Sequence, residues 1–310
     1  MRKSVSDFGA IGFALAGFTF WVLADTCIKL VGQSGLPAYE IMAFLGLVMA
    51  ICLAAYASAR GQAHVLRPHR LGRQLLRACL DMANNICVVI ALRHLSLTLF
   101  YILIFTAPML ITLLSAVFLR EGLAWRKGLA ILGGFAGVVL AVNPFGGTRE
   151  GDWVGYSACM ACVACFSVNM VWSRVLTRTE HPESLAFFSG LVTAAAGFSL
   201  MLLVRAAPLA ELMTPHLLAG ICAMGLFCAL GTLCFYIAVK HTSAANVSQY
   251  HYTQLITGTL VTYLVWHTRP GLFVLMGGAL IFASGLYIAM GARGQLQEAA
   301  QAVAPLTEGN

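Results

Sequence analysis

The chain contains 310 residues, of which 60% are hydrophobic and 10% are charged, and its mean hydropathy is +0.84. Soluble domains carry about a quarter charged residues, so this composition excludes a soluble enzyme or binding domain and indicates an integral membrane protein. The formal net charge is +7. The basic residues lie in short connectors between apolar runs, which is the pattern of membrane orientation and not of nucleic-acid binding.

Apolar runs long enough to cross a bilayer recur along the chain, separated by charged, Pro-containing and Gly-rich connectors. A transmembrane helix needs about 20 apolar residues, and continuous runs of this length favour helices over lipid-facing strands. The expected fold class is therefore all-α integral membrane, with ten transmembrane helices. They are expected near residues 8–31, 38–59, 74–95, 97–119, 126–142, 153–175, 184–205, 215–239, 243–266 and 271–292.

The distribution of Lys and Arg predicts the orientation of these helices. With the N-terminus inside, fourteen of the 19 basic residues, Arg77 among them, fall on the cytoplasmic side and five on the opposite side. Because cytoplasmic loops carry the excess of Lys and Arg, both termini are expected in the cytoplasm. The protein is expected to be a multi-pass protein of the cell inner (plasma) membrane, with a polar, disordered cytoplasmic tail at 293–310.

The two halves of the chain resemble each other. The stretch ALRHLS at 91–96 recurs as AVKHTS at 238–243, an offset of 147 residues, and further matches lie at offsets of 145 and 144. Each half then holds five spans, in residues 1–144 and 145–292, and an odd number makes the second half enter the membrane from the opposite side. Inverted repeats of this kind are typical of transporters with a central site.

The segment APMLITLLSAVFLREGLAWRKGLAILGGFAGVVLAV, residues 107–142, resembles the EamA repeat of the drug/metabolite transporter (DMT) superfamily. The resemblance lies in Pro108 within the fourth helix, Glu121 just past its cytoplasmic end, and a glycine-rich fifth helix. The second half departs from this pattern, since Leu255 and Thr268 occupy the positions of Pro108 and Glu121.

This resemblance implies a secondary transporter built from two EamA-like five-helix repeats that extend over about residues 8–292. Members of the family are often exporters of amino acids or other metabolites. Within the family, the chain also resembles the exporters of amino-acid-derived metallophores such as opines.

Polar side chains interrupt the third apolar run. Asp81, Asn84 and Asn85 are spaced i, i+3 and i+4, so they share one face of a helix. A charged group at the middle of a bilayer costs on the order of 2.5–3.5 kcal/mol, so this face should line a cavity or meet partners. It either binds substrate or carries protons through Asp81, or it serves as a polar clamp between helices.

A second carboxylate, Asp25, lies in the outer half of the first helix, four residues before Lys29. An i, i+4 pair would neutralise both charges and form a structural salt bridge at the helix end. Alternatively, Asp25 binds substrate and Lys29 belongs to an outer gate that breaks and reforms. Pro108 is a second gating candidate, because a proline kink allows one half to rock against the other.

The ninth apolar run carries the densest polar group in the chain, unlike the corresponding run of the first half. This difference predicts that the second half supplies solute recognition. His251 is a candidate for proton coupling, because an imidazole titrates near neutral pH, and a buried neutral histidine is the alternative. The substrate-binding candidates in this run are Asn246, Gln249, Tyr250, Thr253 and Thr257, and all of them except Gln249 share one stripe.

Other chemistries have little support in the sequence. Cys159, Cys162 and Cys165 form CxxCxxC, but helical spacing turns the third thiol about 240° away from the first, so no metal site is expected. The pattern G-x-x-x-x-G-K-[ST] does not occur, so ATP is not the direct energy source and no cofactor is expected. The eight histidines are scattered without an HxxxH pair, which leaves an integral-membrane enzyme as an alternative only.

The sequence therefore predicts a secondary active transporter that works by alternating access and exports a small polar or zwitterionic metabolite, amino-acid-like or of the opine-metallophore type, across the inner membrane. Its cavity is expected between helices 1, 3, 4, 6, 8 and 9 of the ten. An importer or exchanger of a small metabolite is the alternative. The expected partners are a small-molecule substrate, the lipid bilayer and, in a coupled cycle, protons; a homodimer is compatible, and no nucleic acid is expected.

We expect Asp81→Asn to abolish proton-gradient-driven uptake into inverted vesicles while solute binding stays measurable. The reason is that an amide binds polar groups but carries no proton through the cycle. Flux and equilibrium binding measured on the same vesicles check this, and unchanged coupling would rule out Asp81 as the proton carrier.

Overall fold

The computed structural model describes residues 7–118, 125–142, 151–204, 214–241, 247, 250–251, 253–284 and 286–287. Regular structure in these ranges is helical, and they contain no strand. A short 3₁₀ turn, Ala63–Leu66, precedes the third helix. The helices are α1 (Asp7–Gln33), α2 (Ala38–Ala59), α3 (Leu71–His94), α4 (Leu97–Ile104), α5 (Ala107–Phe118), α6 (Trp125–Val142), α7 (Trp153–Leu176), α8 (Pro182–Val204), α9 (Pro215–His241), α10 (Thr253–Trp266) and α11 (Leu272–Ser284).

Six helices within the described ranges, α1, α2, α3, α7, α8 and α9, are long and apolar enough to cross a membrane by length and composition. The shorter apolar helices include α6, α10 and α11. Large apolar side chains such as Leu202 and Leu203 are exposed on α8, where lipid would cover them. The all-helical membrane fold expected from the sequence is confirmed, while the expected tail at 293–310 lies outside the described residues.

The expected fourth helix, 97–119, is not continuous. It is divided into α4 and α5 by a turn at Phe105 and Thr106. Pro108 falls in the first turn of α5, the part of a helix that tolerates a residue without an N–H group. The break therefore replaces the kink that the proline predicted, and Glu121 lies outside the described residues.

α1 packs along α9 in the opposite direction. A Cβ atom at Gly17 would lie 3.1 Å from the carbonyl oxygen of Gly231, and a Cβ atom at Gly220 would lie 3.0 Å from the side chain of Val31. Early residues of one helix thus meet late residues of the other. Glycine at these positions lets the two backbones approach closely, which favours helix association in lipid.

α2 and α8 also run in opposite directions, and their backbones approach each other closely. A Cβ atom at Gly46 would lie 2.3 Å from the backbone nitrogen of Ala194, and one at Gly197 would lie 2.4 Å from that of Ala43. α3 and α7 form the third antiparallel pair, since Asn84 contacts Cys162 while the end of α3 contacts the start of α7.

Within the first half, α1 and α3 run in the same direction, because Lys29 near the end of α1 reaches carbonyl groups at the end of α3. Combined with the antiparallel pairs, this makes α1 run opposite to α7, α2 opposite to α8, and α3 opposite to α9. α4 is buried between these helices along its whole length. The arrangement leaves the polar face of α3 at the centre of the bundle.

We expect Gly46→Ala to lower the free energy of unfolding by about 1–3 kcal/mol, because the new methyl group overlaps the α8 backbone and forces the two helices apart. Gly12→Ala is the matched control, since a Cβ atom there meets nothing within 4 Å. Thermal unfolding of the purified protein in detergent measures both variants. Equal melting temperatures for the two variants would contradict the close contact of α2 with α8.

Candidate solute-binding cavity

A cavity of about 90 Å³ lies among α1, α2, α3, α4, α7, α9 and α10. These helices include all six that the sequence predicted around a central site. One water molecule needs roughly 10–15 Å³ of such space, so the cavity has room for several waters. A metabolite-sized solute therefore requires the helices to move apart.

The polar face of α3 lines this cavity. Asp81, Asn84 and Asn85 all contribute to the lining, as their helical spacing predicted. Asn84 accepts a hydrogen bond from the Cys162 thiol through Oδ1 (3.1 Å), and Asn85 donates through Nδ2 to Thr193 Oγ1 (3.2 Å). The two carboxamides thus join α3 to α7 and α8 while they also face the cavity.

The largest departure from the sequence prediction is Arg77. Instead of lying at the cytoplasmic surface, its side chain is fully buried one helical turn before Asp81. The guanidinium donates to the Tyr236 hydroxyl, to the Leu185 carbonyl (2.7 Å) and to Ser189 Oγ (2.9 Å). The sequence prediction placed Arg77 among the basic residues of the cytoplasmic surface. Its partners on α8 and α9 are remote in sequence, so the local pattern did not reveal them.

The Asp81 carboxylate lies between Arg77 and Asn169. Arg77 is 3.9 Å from one carboxylate oxygen, and Asn169 Nδ2 donates to the other at 2.9 Å. Ser173 in turn donates to Asn169 Oδ1 (3.1 Å) and fixes that amide. These contacts connect the carboxylate on α3 to α7 and, through Arg77, to α8 and α9.

The salt bridge between Asp25 and Lys29, one of the two alternatives from the sequence, does not occur among the described contacts. Lys29 Nζ instead donates to the carbonyls of Leu92 (2.7 Å) and Leu95 (2.5 Å). The last carbonyls of a helix have no intrahelical partner and carry its negative dipole end, so they attract an ammonium. Asp25 is left with the hydroxyl of Tyr101, which donates to it at 2.7 Å.

The C-terminal end of α3 is joined to two connectors. Arg93 donates to the Leu36 carbonyl in the connector between α1 and α2. His94 Nδ1 lies 2.7 Å from Asp152, which also accepts the Gly155 N–H (2.8 Å) at the start of α7. The hydrogen bond from the Gly155 N–H is the main reason that the pKa of the exposed Asp152 carboxyl lies below its ordinary value, and the contact with His94 lowers this pKa further.

The N-terminal end of α3 is capped from outside the helix. Arg70 provides no side-chain cap, and the buried Glu180 accepts the backbone N–H groups of His69 (3.0 Å) and Arg70 (2.9 Å). Gln74 Nε2 donates to the Ser184 carbonyl (2.9 Å). The sequence reasoning did not single out Glu180, although a carboxylate beside the predicted start of the seventh helix was visible.

Aromatic rings form the opposite wall of the cavity. Trp21 and Phe235 lie 4.9 Å apart between ring centroids, and Phe166 lies 6.2 Å from each of them. The His251 ring stacks on Phe18 at 4.9 Å and lies 5.3 Å from Phe166. His251 therefore packs as part of this aromatic wall.

The ninth apolar run meets the cavity through His251 and Gln254, and not through the expected stripe. Thr253 Oγ1 donates to the Tyr250 carbonyl (2.7 Å) and Thr257 Oγ1 to the Thr253 carbonyl (3.0 Å), so both hydroxyls are bound to their own helix. Tyr250, Thr253 and Thr257 are not part of the lining. The two remaining candidates, Asn246 and Gln249, lie outside the described residues.

Two of the three clustered cysteines contact different helices. Cys159 Sγ lies 3.8 Å from the Phe100 carbonyl on α4, whereas Cys162 contacts Asn84 on α3. Within the described ranges, no three His, Cys, Asp or Glu side chains are grouped as metal ligands.

Two successive lengths of chain, residues 8–143 and 153–290, match the family model of the EamA-like transporter family. The chain belongs to this family, and thereby to the drug/metabolite transporter superfamily, as its sequence motifs indicated. It is a multi-pass membrane transporter of a small molecule.

Curated relatives cover most of the chain at low identity. The riboflavin transporter of Brucella anthropi is 23% identical over 259 residues, which are 83% of this chain and 89% of the relative. The S-adenosylmethionine uptake transporter of Rickettsia bellii is 22% identical over 283 residues, 90% of this chain and 92% of the relative. The pseudopaline exporter CntI of Pseudomonas aeruginosa is 26% identical over 274 residues, 88% of this chain and 93% of the relative.

A crystal structure of a protein 23% identical to this chain has the same fold, with a TM-score of 0.67 over 92% of this chain and 98% of that one. The named relatives include an exporter and an uptake transporter, so membership of the family does not define the direction of transport.

We expect Arg77→Met to lower the free energy of unfolding by about 3 kcal/mol, because it leaves the Asp81 charge without its buried partner. The double variant Arg77→Met/Asp81→Asn should recover part of this loss, since no uncompensated charge remains. Unfolding by SDS in mixed micelles measures the series. Arg73→Met is the control, because Arg73 is exposed on the same helix, and equal losses for Arg73→Met and Arg77→Met would contradict the buried pair.

Proposed function

We propose that the protein is a secondary active transporter that exports a small polar or zwitterionic metabolite across the inner membrane by alternating access. The observation that carries this proposal is the cavity, where carboxylates, carboxamides and aromatic rings converge between helices of the two halves. Polar groups are costly inside a bilayer, so their collection at one small cavity is best explained by a solute that needs them.

The proposed architecture is ten transmembrane helices in two inverted five-helix repeats, residues 1–144 and 145–292, with both termini in the cytoplasm. The opposite directions of α1 and α7, of α2 and α8, and of α3 and α9 support inversion. Inverted repeats support alternating access because the two halves can exchange roles about a site that stays between them.

Two groups of polar contacts are suited to act as the gates in such a cycle. On the inner side, Arg77 and Glu180 attach α3 to α8, α9 and the α7–α8 connector. On the outer side, Lys29, Arg93 and His94 contact the end of α3 or neighbouring connectors. Opening one side requires one group to separate while the other group keeps the opposite side closed.

The sequence identities of the relatives described above favour export over uptake. The exporter is 26% identical to this chain, whereas the riboflavin transporter and the S-adenosylmethionine uptake transporter are 23% and 22% identical. An uptake carrier or exchanger would use the same cavity in the reverse sense. Protons are the proposed coupling ion, with Asp81 and His251 as candidate carriers.

We expect cells that contain the protein to release at least one metabolite into the medium faster than cells without it, and Asn84→Leu to abolish that release. Comparative metabolite profiling of the medium identifies the solute, and flux of that solute in liposomes with purified protein gives the direction. Thr19→Leu is the control, because Thr19 is exposed on α1 and its hydroxyl bonds only to the Leu15 carbonyl among the described residues.

A metabolite profile that does not depend on Asn84 would contradict transport through this cavity. Accumulation inside the cells, confirmed by inward flux in liposomes, would instead identify an uptake carrier.

A further inference from the structure

Two carboxylates, Asp25 and Asp81, line the cavity, and they differ in whether a basic side chain lies beside them. The ion pairs within the described residues are His69 with Glu180, Arg77 with Asp81, and His94 with Asp152, so Asp25 has no basic partner there. Lys29, the nearest basic residue along α1, is directed to the carbonyls at the end of α3. The cavity therefore contains one carboxylate whose described partner is a neutral hydroxyl.

The position of this carboxylate is well defined. The Tyr101 hydroxyl donates to Asp25, and the Tyr101 ring packs against α10 at Gly258, where a Cβ atom would lie only 2.3 Å from the ring. Tyr101 also lines the cavity. Asp25 on α1 is consequently held at the cavity by Tyr101 on α4, whose ring in turn packs against α10.

An aromatic surface lies beside Asp25. Trp21 precedes it by one helical turn on the same face of α1, and the indole is fixed by a hydrogen bond from Nε1 to Thr232 Oγ1 (3.2 Å). Phe166 and Phe235 extend this surface. The faces of aromatic rings attract cations, and a carboxylate next to such faces is the arrangement that binds organic ammonium groups.

We propose that the cavity recognises an organic cation that carries a planar apolar group. Its ammonium group binds between the Asp25 carboxylate and the Trp21 ring, and its planar group lies against Phe166 and Phe235. The carboxamides of Asn84 and Asn85 remain available for a polar or carboxylate end, which suits a zwitterion as well as a simple amine. This inference rests on the proposed function and names the solute class of the same site.

Three probes with one ring and different head groups test the inference. Phenethylamine is a cation at neutral pH, 2-phenylethanol is neutral and phenylacetate is an anion. Binding of each radiolabelled probe to the full chain in lipid nanodiscs is measured by equilibrium dialysis, with empty nanodiscs as the blank. We expect the amine to bind at least about tenfold more tightly than the alcohol, and the acid to bind most weakly.

Variants separate the contribution of the charge from that of the ring. Asp25→Asn should reduce the affinity for phenethylamine by about tenfold and leave that for 2-phenylethanol nearly unchanged. Trp21→Leu should weaken binding of both. Glu40→Gln is the matched control, because Glu40 is a buried carboxylate on α2 that does not line the cavity, and it should preserve all three affinities.

Equal affinities for the three probes, or a preference for the amine that survives Asp25→Asn in a protein with unchanged melting temperature, overturns the inference. If either result is found while export still depends on Asn84, the proposed transport function is retained and only the proposed class of solute is refuted. Charge-selective binding that Asp25→Asn abolishes, without any flux in liposomes, supports the site and refutes the transport function.

Discussion

The buried guanidinium of Arg77 is the interaction on which the cavity depends. Burial removes the charge from water, so the Tyr236 hydroxyl, the Leu185 carbonyl and the Ser189 hydroxyl take the place of water around the guanidinium. These partners come from α8 and α9, and they fix the depth and rotation of α3. Because Asp81 follows one turn later, the same contacts direct the polar face of α3 toward the centre of the bundle.

The bundle contains two kinds of helix contact, apolar between α2 and α8 and polar around α3. α2 and α8 meet through glycine and alanine backbone contacts, which are apolar, short and difficult to rearrange. α3 is held by polar contacts along its length, with Glu180 at the start, Arg77 and Asn85 in between and Lys29 at the end. Polar contacts can exchange partners with little change in packing volume, so in the proposed cycle α3 can move when these contacts separate, while α2 and α8 keep theirs.

Sequence reasoning predicted what depends on local periodicity. The bounds of α2 agree with the expected 38–59, and the i, i+3, i+4 spacing correctly brought Asp81 and its two asparagine neighbours to one surface. It did not identify partners that are distant in sequence: Arg77 was assigned to the surface, and for Lys29 the sequence offered a salt bridge with Asp25, four residues away, or an outer gate. In both cases a helix end or a buried hydroxyl on another helix competes with the local partner, and only tertiary packing decides the outcome.

The lining of the cavity is less symmetric than the scaffold around it. At the repeat offset of 147 residues, the counterpart of Asp81 is Cys228 and the counterpart of Asn85 is Thr232, and both counterparts also line the cavity. In the alternating-access cycle proposed above, the carboxyl group stays with the first half and the thiol with the second. The two end states of that proposed cycle would therefore be chemically distinct and differ in free energy, which would give the empty protein a resting orientation relative to the membrane.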